Sequence, residues 1–126
     1  MNPSTDSLRS ARKHIPLSVP AYHILLALLG GDGHGYAILK QVEEDTEGEV
    51  RLGASTLYAA IRRMLGAGLI EEIDERPAPE LDDSRRRYYR ITNFGREVTR
   101  LEASRLERAG RIARQRILPS SERTNG

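Results

Sequence analysis

The chain has 126 residues but no cysteine, no tryptophan and a single phenylalanine. Without cysteine, disulfide staples and thiolate metal sites are excluded, and a reducing compartment is the default. Its longest apolar run, Ile24 to Leu29, falls far short of the ~20 residues that a membrane span needs. The first twenty residues carry charge and no apolar stretch, so no secretory signal is read there. A cytoplasmic location and no membrane partner are expected by elimination. His14, His23 and His34 are scattered rather than set at metal-ligand spacing. Gly30-Gly31-Asp32-Gly33 is rich in glycine but lacks the lysine and the preceding strand of a phosphate loop. Asp82-Asp83 has no orienting partner in the sequence around it. No catalytic residue, metal or cofactor is assigned, and the chain is not expected to be an enzyme.

Charge is abundant and unevenly placed. Charged residues make up 30% of the chain for a net of only +2. Residues 43–83 hold twelve acids against four arginines, a net of −8, and residues 85–118 hold eleven arginines against three glutamates, a net of +8. A basic block in a small protein points to a polyanion partner. A solvated helix face that answers the acidic block explains the charge equally well.

The apolar residues give the element order. Residues 1–16 are polar and mixed, with no fixed structure beyond a short helix or arm over Leu8 to His14, and are read as a flexible N-terminal arm. A first firm helix begins at Pro20, capped by Ser18, with Ile24, Leu25, Leu28 and Leu29 at core spacing. A second runs from about Gly35 to Thr46 on Tyr36, Ile38, Leu39 and Val42. Val50-Arg51-Leu52 alternates and suggests a small extended piece. A third helix opens at Ala54 or Ser55 with an apolar stripe of Leu57, Ile61, Met64 and Leu65. Ser55, Thr56, Ala59, Arg62 and Arg63 fall on its opposite face, with Tyr58 at the edge. Two strand-like runs follow, Leu69 to Ile73 and Arg86 to Thr92, joined by a long polar loop. A last helix spans roughly Arg96 to Ile117, and the tail 119–126 is expected to be disordered.

Three compact helices, a β hairpin and a long helix predict a mainly α fold with a small β hairpin: a winged helix-turn-helix plus a long C-terminal dimerisation helix. The boundaries are 17–92 for the DNA-binding domain and 93–118 for the dimerisation helix. In that arrangement the third helix enters the major groove of double-stranded DNA, which is wide enough for one α-helix. The candidate DNA-binding residues are Tyr36, Ser55, Thr56, Tyr58, Arg62 and Arg63, with Arg76, Arg85 and Arg86 near the tip of the hairpin. Each has a plainer reading: Tyr36 as half-buried core, Ser55 and Thr56 as helix caps, and the arginines as solvated surface. Tyr88 and Tyr89 are read as sheet packing. A lone long helix in so small a chain needs something to cover its apolar stripe. A second copy is the economical cover, so Val98, Leu101, Leu106, Ala109, Ile112, Ala113 and Ile117 are the candidate homodimer interface. Two recognition helices about one DNA turn apart, ~34 Å, would read an inverted repeat. The arginines from Arg100 to Arg116 are read as solvated or paired with Glu102, Glu107 or acids of the second copy. The alternative function is a winged-helix protein–protein interaction module that uses the acids of residues 71–83.

The ordered set Pro20-Ala21-Tyr22-His23-Ile24-Leu25-Leu26-Ala27-Leu28, His34-Gly35-Tyr36-Ala37-Ile38, Ser55-Thr56-Leu57-Tyr58, Gly68-Leu69-Ile70, Arg86-Arg87-Tyr88-Tyr89-Arg90-Ile91-Thr92 and Gly95-Arg96 resembles the PadR family of bacterial transcription regulators. The resemblance covers roughly residues 17–118, and the single C-terminal helix is similar to the shorter subfamily. It implies a dimeric repressor, with a small apolar effector at the dimer interface as an accompanying expectation. Three features depart from the family pattern. Gly53-Ala54-Ser55 stands where Gly-Pro-Gly is frequent, and Asn93-Phe94-Gly95 where Pro-Glu-Gly is frequent. The missing tryptophan removes the residue that some relatives use to stack planar drugs.

Overall fold

The computed structural model describes residues 3–74 and 87–118. Five helices and three strands follow in the order α1 (Pro3–Arg12), α2 (Val19–Leu29), β1 (Gly33–His34), α3 (Gly35–Asp45), α4 (Ala54–Gly66), β2 (Ile70–Ile73), β3 (Tyr88–Ile91) and α5 (Asn93–Ile117). Helices α2, α3 and α5 each start where a side chain satisfies a first-turn N–H. Ser18 accepts from Ala21 at α2, His34 Nδ1 accepts from Ala37 at α3, and Thr92 accepts from Gly95 at α5. For α2 to α5 the expected boundaries hold to within three residues.

The core is a single cluster. Ile24, Leu25 and Leu28 of α2, Ile38 and Val42 of α3, Leu57, Ile61 and Met64 of α4, Ile70, Tyr89 and Ile91 of the sheet, and Val98 of α5 are all buried in it. The sheet runs in the order β1–β3–β2 and is antiparallel throughout. The sequence predicts a two-stranded hairpin, and β2 with β3 supplies it, Glu71 facing Arg90 and Glu72 facing Tyr89. The third strand comes from Gly33–His34, which pairs with Tyr89 and Tyr88. Two residues beside a glycine cluster carry no periodic signal. Val50 to Leu52 form no strand, because the Val50 N–H donates to Thr46 Oγ, which itself donates to the Val42 carbonyl at the end of α3.

The reading of residues 1–16 as a flexible arm is corrected for its described part. Pro3 to Arg12 form α1, which packs on α5. Ala11 is fully buried, Ile15 and Leu17 pack against the core, and the His14 ring meets the edge of Phe94 at 5.5 Å between centroids. So few apolar residues leave a weak stripe in the sequence, and the tertiary contact supplies what periodicity does not. The expected tail 119–126 lies outside the described residues. Among the described residues no helix is long and apolar enough to cross a membrane.

The buried carboxylate of Glu102 ties α5 to the start of α2. Its Oε2 accepts the Leu17 N–H at 2.6 Å and its Oε1 accepts from Arg105 Nε. The Arg105 hydrogen bond outweighs the opposing effect of burial and, with the Leu17 N–H, holds the carboxyl below its ordinary pKa.

Candidate nucleic-acid interface

The outward face of α4 is the centre of the surface. Gly53 is the N-cap of α4 and makes no side-chain capping bond, so neither Ser55 nor Thr56 is the N-cap. Both stand exposed in the first turn, with Arg62 and Arg63 exposed further along the helix. Among the described residues no acid lies within ion-pair distance of Arg62 or Arg63. The opposite face holds Leu57, Ala60, Ile61 and Met64 in the core. Thus α4 is anchored by one stripe and presents small polar and cationic groups on the other.

The start of α3 joins this surface through Gly35. A Cβ on Gly35 would stand 2.5 Å from Tyr58 Oη and 3.3 Å from Leu57 Cδ2, so only glycine lets α3 begin against α4 with Tyr58 across it. Tyr58 remains 44% exposed and Tyr36, the next residue after Gly35, 61% exposed. The reading of Tyr36 as half-buried core is therefore set aside. The Tyr36 ring stacks on His34 at 6.5 Å, and Lys40 Nζ lies 5.7 Å from its centroid. Sequence reasoning missed Lys40. Its signal was available: it lies four residues after Tyr36 on one helix face. His34, Tyr36, Lys40, Tyr58 and the exposed residues of α4 make one polar, aromatic and cationic surface.

The hairpin adjoins it. Tyr88 and Tyr89 are buried, as sheet packing requires. Burial, chiefly, and the nearby Glu72 raise the Tyr89 hydroxyl pKa above its ordinary value, and Tyr58 adds to the shift. The candidates Arg76, Arg85 and Arg86 lie outside the described residues. The two described arginines of the hairpin are both paired: Arg87 with Glu72 at 3.3 Å, and Arg90 with Glu71 through Nε at 2.9 Å and Nη2 at 2.7 Å.

The candidate dimer residues divide in two. Val98 is fully buried within its own chain and Leu101 packs against the same core. Both are withdrawn from the free interface, because the first turns of α5 close the core beside α2. Leu106, Ala109, Ile112, Ala113 and Ile117 are exposed. Leu106, Gly110, Ala113 and Ile117 recur at helical spacing, and nothing lies near Gly110.

The chain matches the PadR-like family of transcriptional regulators over residues 24–101. Among solved structures it is similar to a PadR family transcription regulator from Clostridium difficile, at 27% identity and a TM-score of 0.68 over 80% of this chain and all (100%) of that one. A transcriptional regulator from Clostridium thermocellum aligns at 23% identity and a TM-score of 0.65, over 94% of this chain and 99% of that one. The PcaV transcriptional regulator from Streptomyces coelicolor shares the fold at 22% identity and a TM-score of 0.64, over 98% of this chain and 88% of that one. An uncharacterized 37.1 kDa protein in transposon TN4556 of Streptomyces fradiae is 34% identical over 90 residues, which are 71% of this chain and 24% of that protein. The chain thus spans about a quarter of the length of that curated relative. With its helical order, three-stranded sheet and long last helix, the chain belongs to the PadR-like family of transcriptional regulators.

Proposed function

We propose that the protein is a homodimeric repressor that binds an inverted-repeat operator in double-stranded DNA through α4. Ser55, Thr56, Tyr58, Arg62 and Arg63 contact the major groove and its phosphates, and Tyr36 with Lys40 contacts an adjoining phosphate. Arg76, Arg85 and Arg86 extend the contact from the hairpin. The observation that carries the reading is the exposed, uncapped outward face of α4, whose arginines meet no acid among the described residues and whose opposite stripe is buried. Arginines left without an acid are available to phosphate or to guanine edges.

The second copy is held by α5 through Leu106, Ala109, Ile112, Ala113 and Ile117. Residues 93–118 are thereby the dimerisation helix and residues 17–92 the DNA-binding domain. A small apolar effector between the two α5 helices would act by binding one spacing of the two α4 helices more tightly than another.

The experiment is selection of genomic fragments by the purified protein at moderate salt, followed by affinity titrations against salt. An inverted repeat with half-sites about one turn apart, ~34 Å, is the expected product. Arg63→Ala is expected to weaken binding and to flatten the salt slope, leaving the oligomeric state unchanged. A folded dimer that retains no fragment above background would sink the reading and favour an interaction module. So would wild-type binding without salt dependence.

A further inference from the structure

The cations of the candidate interface fall into two kinds. Arg62 and Arg63 on α4 have no acid within reach among the described residues, whereas Arg87 is held by Glu72. Glu72 sits opposite Tyr89, and alternation puts Ile70, Glu72, Arg87, Tyr89 and Ile91 on one face of the sheet. This is the core face, which meets α4 at Tyr58. At its open end the core has run out, and Glu72 and Arg87 carry that face into solvent with side chains 42% and 70% exposed. The second pair, Arg90 with Glu71, lies on the opposite face of the same strands. An ion pair as exposed as Glu72–Arg87 adds little to stability, so the fold does not require it. What it does is set a carboxylate beside the surface where phosphates would lie.

We propose that Glu72 is a specificity-determining residue, restraining Arg87 from phosphates until α4 is fully docked in a matching groove. The proposal rests on the DNA-binding reading above. In a loose, sequence-independent encounter, Glu72 both repels the backbone and occupies Arg87. In the fully docked complex a phosphate within reach takes Arg87 over, because a guanidinium binds phosphate through the same two-pronged geometry that it uses with a carboxylate. Glu72 therefore lowers affinity for random sequence more than affinity for the operator. The ratio of the two is what decides occupancy among competing sites. Arg62 and Arg63 supply the general attraction and Arg87 a conditional one.

The test is fluorescence anisotropy with a random-sequence duplex and with the duplex retained by fragment selection, each over a range of KCl. Glu72→Gln is expected to bind random duplex about three-fold or more tighter near ~0.1 M salt, with a log–log salt slope steeper by about one phosphate contact. The selected duplex is expected to gain less, so the specificity ratio falls. Adding Arg87→Gln to Glu72→Gln is expected to remove the gain. Glu71→Gln, on the other sheet face, is expected to leave the ratio unchanged. Equal affinities for wild type and Glu72→Gln, or an equal gain from Glu71→Gln, would overturn the proposal while leaving DNA binding intact. A folded wild type that binds neither duplex would overturn the DNA-binding reading and this proposal with it.

Discussion

Replacing Glu102 tests how the candidate DNA-binding body is fixed to the helix proposed to carry the dimer. The side chain is 1% exposed. Glu102→Ala removes the acceptor of the Leu17 N–H and the partner of Arg105. Removing one member of a buried ion pair typically costs about 3–5 kcal/mol, because the other charge is left buried. Here the surviving partner is Arg105, whose side chain is 37% exposed and can turn to water, so that figure does not apply. The dominant loss is the Leu17 N–H left without its acceptor, about 1–3 kcal/mol, with a smaller contribution from the space vacated. The expected total is about 2–4 kcal/mol, a large share of the ~5–15 kcal/mol of an ordinary domain. Glu102→Gln keeps a carbonyl for Leu17 and loses the charge, so about 1 kcal/mol is expected. Arg105→Ala should cost little, because its side chain reaches solvent. The pH dependence has a definite sign. The folded-state pKa of Glu102 is depressed, so its contribution is present above the unfolded carboxyl value and is lost as pH falls through the folded one. Urea midpoints at neutral pH and on acidification read both effects. A loss below about 0.5 kcal/mol for Glu102→Ala would refute the coupling, since that is what an ordinary surface change gives.

Other substitutions probe neighbouring parts of the fold. A Cβ at Gly95 would come 2.1 Å from the Leu69 carbonyl oxygen, which is backbone held by the Thr92 N–H. Gly95→Ala is therefore expected to cost about 3 kcal/mol or more, seen as a lowered denaturation midpoint. At Gly35 the nearest atom is the movable tip of Tyr58, so Gly35→Ala should cost only about 1 kcal/mol. Displacement of Tyr58 should then cut DNA affinity more than stability, as anisotropy beside thermal melting would report. Ile117→Asp with Leu106→Asp places charge on the exposed stripe of α5. Light scattering should find monomers, with the melting of each monomer's core little changed because neither side chain belongs to it.

Helices α2 to α5 were legible because each carries apolar residues at helical spacing. Ser18 caps α2 as expected, and the stripe of α4 is the one that the sequence shows. What the sequence could not display depends on contacts between distant residues. β1 is two residues long and exists because Tyr88 and Tyr89 offer it a free edge. The helix α1 is covered by α5, a partner more than eighty residues away in the chain. Val98 and Leu101 entered the candidate dimer stripe for the same reason, though both face their own core. Val98 and Leu101 are apolar at helical spacing, and no periodicity distinguishes an apolar residue facing its own core from one facing a second copy.

Charge misleads in a more instructive way. By count, the basic block at residues 85–118 is the obvious partner for a polyanion, and the acidic block at residues 43–83 is the least suited. The structure redistributes these roles. Four arginines of the basic block are engaged by glutamates: Arg87 by Glu72, Arg90 by Glu71, Arg100 by Glu97 and Arg105 by Glu102. Two of those glutamates belong to the acidic block, so the blocks partly neutralise each other across the hairpin. Arg62 and Arg63, on the outward face of α4 and without an acid in reach among the described residues, come from within the acidic block. A phosphate responds to charge within about a Debye length, ~10 Å at 0.1 M salt, and not to totals along the chain. The spacing on one helix face is therefore a better guide to a polyanion surface than net charge per segment. Here Arg62 and Arg63 stand clear of every described acid, whereas Arg87, from the block richer in arginine, is already held by Glu72.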